Sequence, residues 1–135
     1  MTKKPITKLK KELDTWYSLY IRTKDIDNKG WTECYTCGKR DHYKRLQNGH
    51  FISRKHLSTR FLDDNCKVQC AGCNVFKYGN IYLYTKRLGP ELSEELYLKS
   101  KETLKIMRHE YIDKITYYKS IVNKKLSKLS NGLDF

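Results

Sequence analysis

Four cysteines in two pairs, Cys34/Cys37 and Cys70/Cys73, stand on either side of a segment with two histidines and two arginines, NGHFISRKHLSTRF at residues 48–61. Each pair leaves two residues between its thiols, a spacing that lets both sulfurs reach one ion from a tight turn. Gly38 after the first pair relieves that turn. Four thiolates close a tetrahedral shell and leave no open position, so the pattern predicts a structural Zn²⁺ and not a zinc catalyst. Cys66 falls outside both pairs and is either a buried thiol or a substitute ligand. A zinc loop needs only its ligands and a few turn residues. This one also carries His50, Asn65 and, directly behind the last ligand, Asn74. Taken singly, these read as a hydrogen-bonded structural histidine and two caps. Their order between and behind the knuckles is what makes catalysis by His50 an alternative.

The chain around these residues is basic. Its 135 residues, the size of one ordinary domain, carry 28 Lys and Arg against 15 Asp and Glu, a formal net charge of +13. Fifteen of the basic residues lie in positions 1–60 and thirteen in 61–135, so the charge belongs to a folded body and not to a tail. Such a surface suits a nucleic-acid backbone, with a general solubility bias as the plainer explanation. At 39% hydrophobic residues the core must be modest, and a zinc ion would supply folding free energy that it lacks. No apolar run approaches the roughly 18 residues of a membrane-spanning helix. The N-terminus, MTKKPITKLKK, has no apolar stretch behind it, so neither membrane insertion nor secretion is expected. Five cysteines without an export signal favour metal-binding thiolates in a reducing cytoplasm over a disulfide framework.

These residues need elements to hold them. Ile6, Leu9, Leu13, Trp16, Tyr17, Tyr20 and Ile21 recur at helical spacing, which predicts an amphipathic helix over 6–26, ended by turn residues at 27–30. Residues 31–61 have no helical period, and the short pieces WTECY and GHFISR suit a knuckle and a hairpin. Residues 63–65 are expected to cap or precede a helical stretch beginning near Cys70. After a break at Gly89-Pro90, the spacing of Met107, Tyr111, Ile115, Tyr118 and Val122 predicts one long helix from Leu104 to about Leu126. The tail at 130–135 should fray. The expected organisation is α+β and one compact domain: an N-terminal helix in 1–30, a zinc-bound core in 31–88 and a C-terminal helical arm in 91–130.

With CYTCGKRD (34–41), GHFISRKH (49–56), TRF (59–61), NCKVQCAGCN (65–74) and YGN (78–80), the sequence resembles the NinG/Rap family of phage recombination proteins, within the HNH (ββα-metal) endonucleases. The specific match covers residues 34–80. The resemblance implies a zinc-stapled ββα-metal core with flanking N- and C-terminal helices, and a metal-dependent DNA endonuclease. His50, on the first strand of the hairpin, would be the general base that deprotonates water. Asn74 would offer its side-chain oxygen to a catalytic Mg²⁺ or Mn²⁺, and Asn65 would brace the loop that orients His50. Arg54 and Arg60 would hold phosphates, with His56 as a further substrate residue. Many HNH enzymes place Asp or His just before the base, as a metal ligand; here that position is Gly49. A second ligand could then come from His56, Asn48, Asp63 or Asp64, or from water and substrate.

The family further implies branched DNA, a Holliday junction or D-loop, as partner in phage recombination, in the bacterial cytoplasm and alongside other recombination proteins. A homodimer through the long C-terminal helix would give a junction two active sites. The alternatives are a zinc ribbon that binds nucleic acid without cutting it and, more remotely, a protein-docking adaptor.

Overall fold

The computed structural model describes residues 3–129, so the expected fraying at 130–135 lies outside the described residues. Helix α1 (Ile6–Thr23) forms where the apolar spacing predicts it. Leu9, Leu13, Tyr17 and Ile21 recur every fourth residue and are all buried. They pack on Ile106 and on Tyr111 and Ile115 of helix α5 (Arg108–Leu126). Burial of side chains of this size contributes about 1.5–3 kcal/mol each, enough to fix α1 in place. Beside this stripe Tyr17, Tyr20, Phe61 and Tyr118 meet ring to ring, and Asp63 accepts hydrogen bonds from Tyr17 (2.7 Å) and Tyr20 (2.6 Å).

Cys66 is fully buried in the same core, with its thiol 3.4 Å from the Arg60 carbonyl. Burial pushes that thiol up to about 12. It packs in the core with α1 and α5 and is not among the four sulfurs that gather at Cys34, Cys37, Cys70 and Cys73, so it is a core residue and not a substitute ligand.

Two small antiparallel sheets fill the middle of the chain. Strand β1 (Trp31–Glu33) pairs with β2 (Arg40–His42), and β3 (Leu46–His50) pairs with β4 (Cys66–Cys70), which sets His50 opposite Cys66. Helix α2 (Leu57–Arg60) and a single turn at Asp63–Asn65 connect β3 to β4. A π-helical turn, Gly72–Phe76, follows β4, and helices α3 (Ile81–Leu88) and α4 (Pro90–Ser100) part at Gly89. The architecture is α+β. No helix among the described residues is long and apolar enough to cross a membrane.

Three boundaries depart from the expectation. The strand in GHFISR stops at His50, because Asn65 takes the backbone N–H and C=O of Ile52 for its own side-chain bonds. The helical stretch expected near Cys70 starts at Gly72, after the five residues of β4 have paired with β3. Helix α5 starts at Arg108 and not at Leu104: Ile106 turns into the core from extended chain, while Leu104 and Met107 stay exposed. Their spacing imitates a helical face without forming one.

Gly49 lies where β3 meets the Gln69 side chain of β4. A Cβ there would stand 1.8 Å from Gln69 Oε1. Gln69 is fully buried, and its Nε2 donates to Thr36 Oγ1 (3.0 Å) and the Gly79 carbonyl (2.9 Å). It cannot swing aside without stranding a buried amide. Gly49→Ala is therefore expected to cost about 1–3 kcal/mol, the usual penalty of overpacking, read as a lower urea midpoint. An unchanged midpoint would mean that Gln69 yields freely. The same crowding explains why no ligating side chain stands just before His50.

Candidate metal centre and active cleft

Cys34 follows β1, and the turn that returns the chain to β2 closes with the Gly38 N–H donating to the Cys34 carbonyl at 2.9 Å. Gly38 has φ +80°, a left-handed conformation that glycine adopts at little cost. Cys70 ends β4, and Cys73 sits in the π-helical turn. The four sulfurs lie within 4.8 Å of one another, with Cys37 and Cys70 3.7 Å apart. Sulfurs held at about 2.3 Å around a tetrahedral ion are separated by roughly 3.8 Å, so this donor set could hold Zn²⁺. Thr36 Oγ1 lies 3.4 Å from the Cys34 sulfur, and Asn80 Nδ2 donates to Cys73 Sγ at 3.4 Å. Burial alone would raise the Cys34 thiol. Hydrogen bonds from Thr36 and from backbone N–H groups outweigh it and lower the Cys34 pKa, while burial raises those of Cys37 and Cys70 beside it.

A cleft of about 400 Å³ opens beside the β3–β4 hairpin. Helix α1 contributes Asp14, Ser18 and Arg22 to its wall, and β3 contributes Gln47, Asn48 and His50. Leu46 of β3, Ser53 and Arg54 of the loop after it, and Asn74 of the π-helical turn complete it. Of the residues singled out in the sequence, His50, Arg54 and Asn74 thus meet in one cavity. Asn65, His56 and Arg60 lie outside its wall.

His50 ends β3, and its Nε2 is 2.9 Å from the Arg60 carbonyl. A carbonyl only accepts, so Nε2 carries the proton of the neutral ring and Nδ1 keeps the lone pair. Burial lowers the His50 pKa below its ordinary 6.5, and the Arg54 and Arg60 cations lower it further. The Arg60 carbonyl and the Asp14 carboxylate oppose this without reversing it. The ring is accordingly a free base at neutral pH.

Asn65, fully buried, holds the loop behind the histidine. Its Oδ1 accepts from the Ile52 N–H (2.8 Å), and its Nδ2 donates to the carbonyls of Ile52 (3.1 Å) and Thr59 (3.0 Å). Its own carbonyl accepts from the Phe51 N–H at 2.9 Å. Asn74 Nδ2 donates to Gln47 Oε1 at 2.8 Å, which leaves the Asn74 carbonyl oxygen available. Asn48 Oδ1 is buried with no hydrogen-bond partner. Neutral oxygens of this kind fit a hard divalent ion whose shell is completed by water and phosphate. Asp63 and Asp64 supply nothing here: the first is tied to Tyr17 and Tyr20, and the second is exposed away from the wall.

The arginines divide. Arg54 is exposed at the mouth, and its side chain makes no ion pair with the described residues. Arg60 is 13% exposed, and its guanidinium clasps Asp14 through Nε (2.9 Å) and Nη2 while Nη1 donates to the Arg54 carbonyl at 2.7 Å. It is not free to hold a phosphate, which corrects the expectation. What it does is fix the carbonyl that holds His50. His56, half-buried, precedes α2 and does not reach the cleft.

Asp14 and Arg22 were not foreseen. Arg22 donates to Ser18 Oγ and to the Tyr43 carbonyl, both at 3.0 Å, and presents a second cation to the cleft. The signal was present in the sequence: Asp14, Ser18 and Arg22 are spaced by four, a polar stripe on the helix whose apolar stripe drew attention.

A family model described as "Bacteriophage Lambda NinG protein" matches residues 1–129. No curated protein and no solved structure matches the chain.

Proposed function

The chain belongs to the NinG family, and on that premise we propose that it is a metal-dependent DNA endonuclease of the HNH type, acting on branched recombination intermediates. The observation that carries this reading is the meeting of His50 and Asn74 in one cleft, with the buried Asn65 bracing the loop between them. His50 Nδ1 takes a proton from water, while the Arg60 carbonyl holds the ring in the required tautomer. Arg54 and Arg22 draw the phosphate into the cleft and offset its charge. Asn74, with Asn48 beside it, would hold Mg²⁺ or Mn²⁺, which neutralises charge on the leaving oxygen when bound. The β3–β4 hairpin followed by the zinc turn supports the ββα-metal assignment, and the four cysteines would keep Zn²⁺ as a structural ion.

The test is cleavage of a labelled four-way junction and a matched linear duplex by the zinc-loaded protein, with Mg²⁺, Mn²⁺ or brief EDTA. Metal-dependent nicking that favours the junction, and that Asn74→Ala weakens, is the expected result. Tight binding with no nicking under any ion would instead make the protein a zinc ribbon that binds DNA without cutting it.

A further inference from the structure

The strongest unassigned surface follows directly on Asn74. Phe76, Tyr78 and Tyr82 are 78%, 89% and 74% exposed, with Val75 and Ile81 exposed beside them. Large aromatic side chains displayed this openly on consecutive turns are rarely left without a partner.

The backbone that carries them is pinned. The Gly79 N–H donates to the Cys73 carbonyl at 2.9 Å, Asn80 Nδ2 reaches the Cys73 sulfur, and buried Gln69 holds the Gly79 carbonyl. Tyr78 and Asn80 both sit at φ +50°, an unfavourable conformation for a tyrosine that the surrounding bonds enforce. The cysteine cluster thus fixes the backbone that carries Phe76 and Tyr78, two and four residues beyond a cleft residue.

The charge along the same stretch of chain points to the partner. Residues 66–90 contain no Asp or Glu but do contain Lys67, Lys77, Lys86 and Arg87. Lys86 Nζ lies 5.8 Å from the Tyr82 ring centre. Flat aromatic faces among cations, with no acidic residue in the stretch, complement a polyanion that offers stackable rings.

We propose that residues 75–82 form a base-stacking platform, on which Phe76 and Tyr78 take unpaired nucleobases at the branch of a DNA substrate while Lys77 and Lys86 hold the flanking phosphates. This rests on the proposed action on DNA and gives it a source of branch preference. A continuous duplex hides its base faces, whereas a fork or junction exposes them.

The test uses full-length, zinc-loaded protein carrying His50→Ala, so that binding is read without cutting. Affinity is measured for a forked duplex with unpaired arms and for a linear duplex of equal length. An adenine analogue whose fluorescence is quenched by stacking is placed in the first unpaired position. Phe76→Ala and Tyr78→Ala should each weaken fork binding about tenfold or more and abolish the quench, leaving linear-duplex binding unchanged. Phe76→Trp should retain both, and zinc content should be unaltered in every variant. Equal losses on both DNAs, or no loss on either, would overturn the platform. If unmodified protein binds neither DNA, the platform and the action on DNA fall together, and the patch is a protein-docking face. If it binds the fork with quenching but never cuts under Mg²⁺ or Mn²⁺, only the nuclease reading fails.

Discussion

Replacing His50 by alanine is expected to slow metal-dependent strand cleavage about a hundred- to ten-thousandfold while junction affinity and zinc content persist. The effect is large because no other side chain in the cleft wall offers a base of suitable strength. Asp14 is the one carboxylate there, and both its oxygens are engaged by Arg60. Loss of the bond to the Arg60 carbonyl should cost about 1 kcal/mol of stability, too little to unfold the domain.

The pH profile adds a second readout. Burial and two neighbouring arginines lower the His50 pKa, so the ring stays unprotonated to below pH 6.5. Cleavage should then hold level as pH falls from neutrality and decline only on an acid limb lying below that value. The stability contribution has the same sign, since a histidine with a depressed folded pKa favours the native state at high pH and loses that as pH falls through the folded value. Cleavage that survives His50→Ala with an unaltered acid limb would remove His50 from the chemistry.

Loss of the zinc cluster should be the most damaging change to the fold. Structural zinc in small domains contributes apparent binding free energies of about 10–16 kcal/mol, comparable with or larger than the whole stability of a domain this size. Cys70→Ser should therefore lower zinc content and leave the middle of the chain unfolded by circular dichroism at ordinary temperature. Cys66→Ser provides the contrast: it should keep its zinc and lose only about 1–3 kcal/mol, the cost of putting a hydroxyl in a buried apolar site. Equal zinc loss in both variants would mean that Cys66 takes part in the metal centre after all.

The features legible in the sequence are those with short-range signatures. The paired cysteines announced their cluster through local spacing, and α1 announced its buried stripe through a four-residue period. The order of His50, Asn65 and Asn74 led to a cleft that His50 and Asn74 share and that Asn65 supports from behind. What stayed hidden depends on contacts between distant parts of the chain. Nothing near Arg60 indicates that its guanidinium will be taken by Asp14, forty-six residues earlier, so a basic residue beside a histidine read as a phosphate donor. Nothing in the sequence around Gln69 marks it as buried, because its burial follows from Thr36 and Gly79 closing over it. The start of α5 was misjudged because an extended segment can place apolar residues at helical intervals by chance.

One wall of the cleft is α1, and α1 is held in place from behind by α5. Translation delivers these two helices in that order, with every cleft residue emerging before the helix that backs the wall. At roughly 5–20 residues per second, His50 and Asn74 are outside the ribosome for several seconds before α5 can dock. During that interval the apolar stripe of α1, the helix that carries Asp14 to the Arg60 guanidinium, is not yet covered by α5. On the proposed nuclease reading, the cleft therefore reaches its working geometry only once α5 has docked against α1.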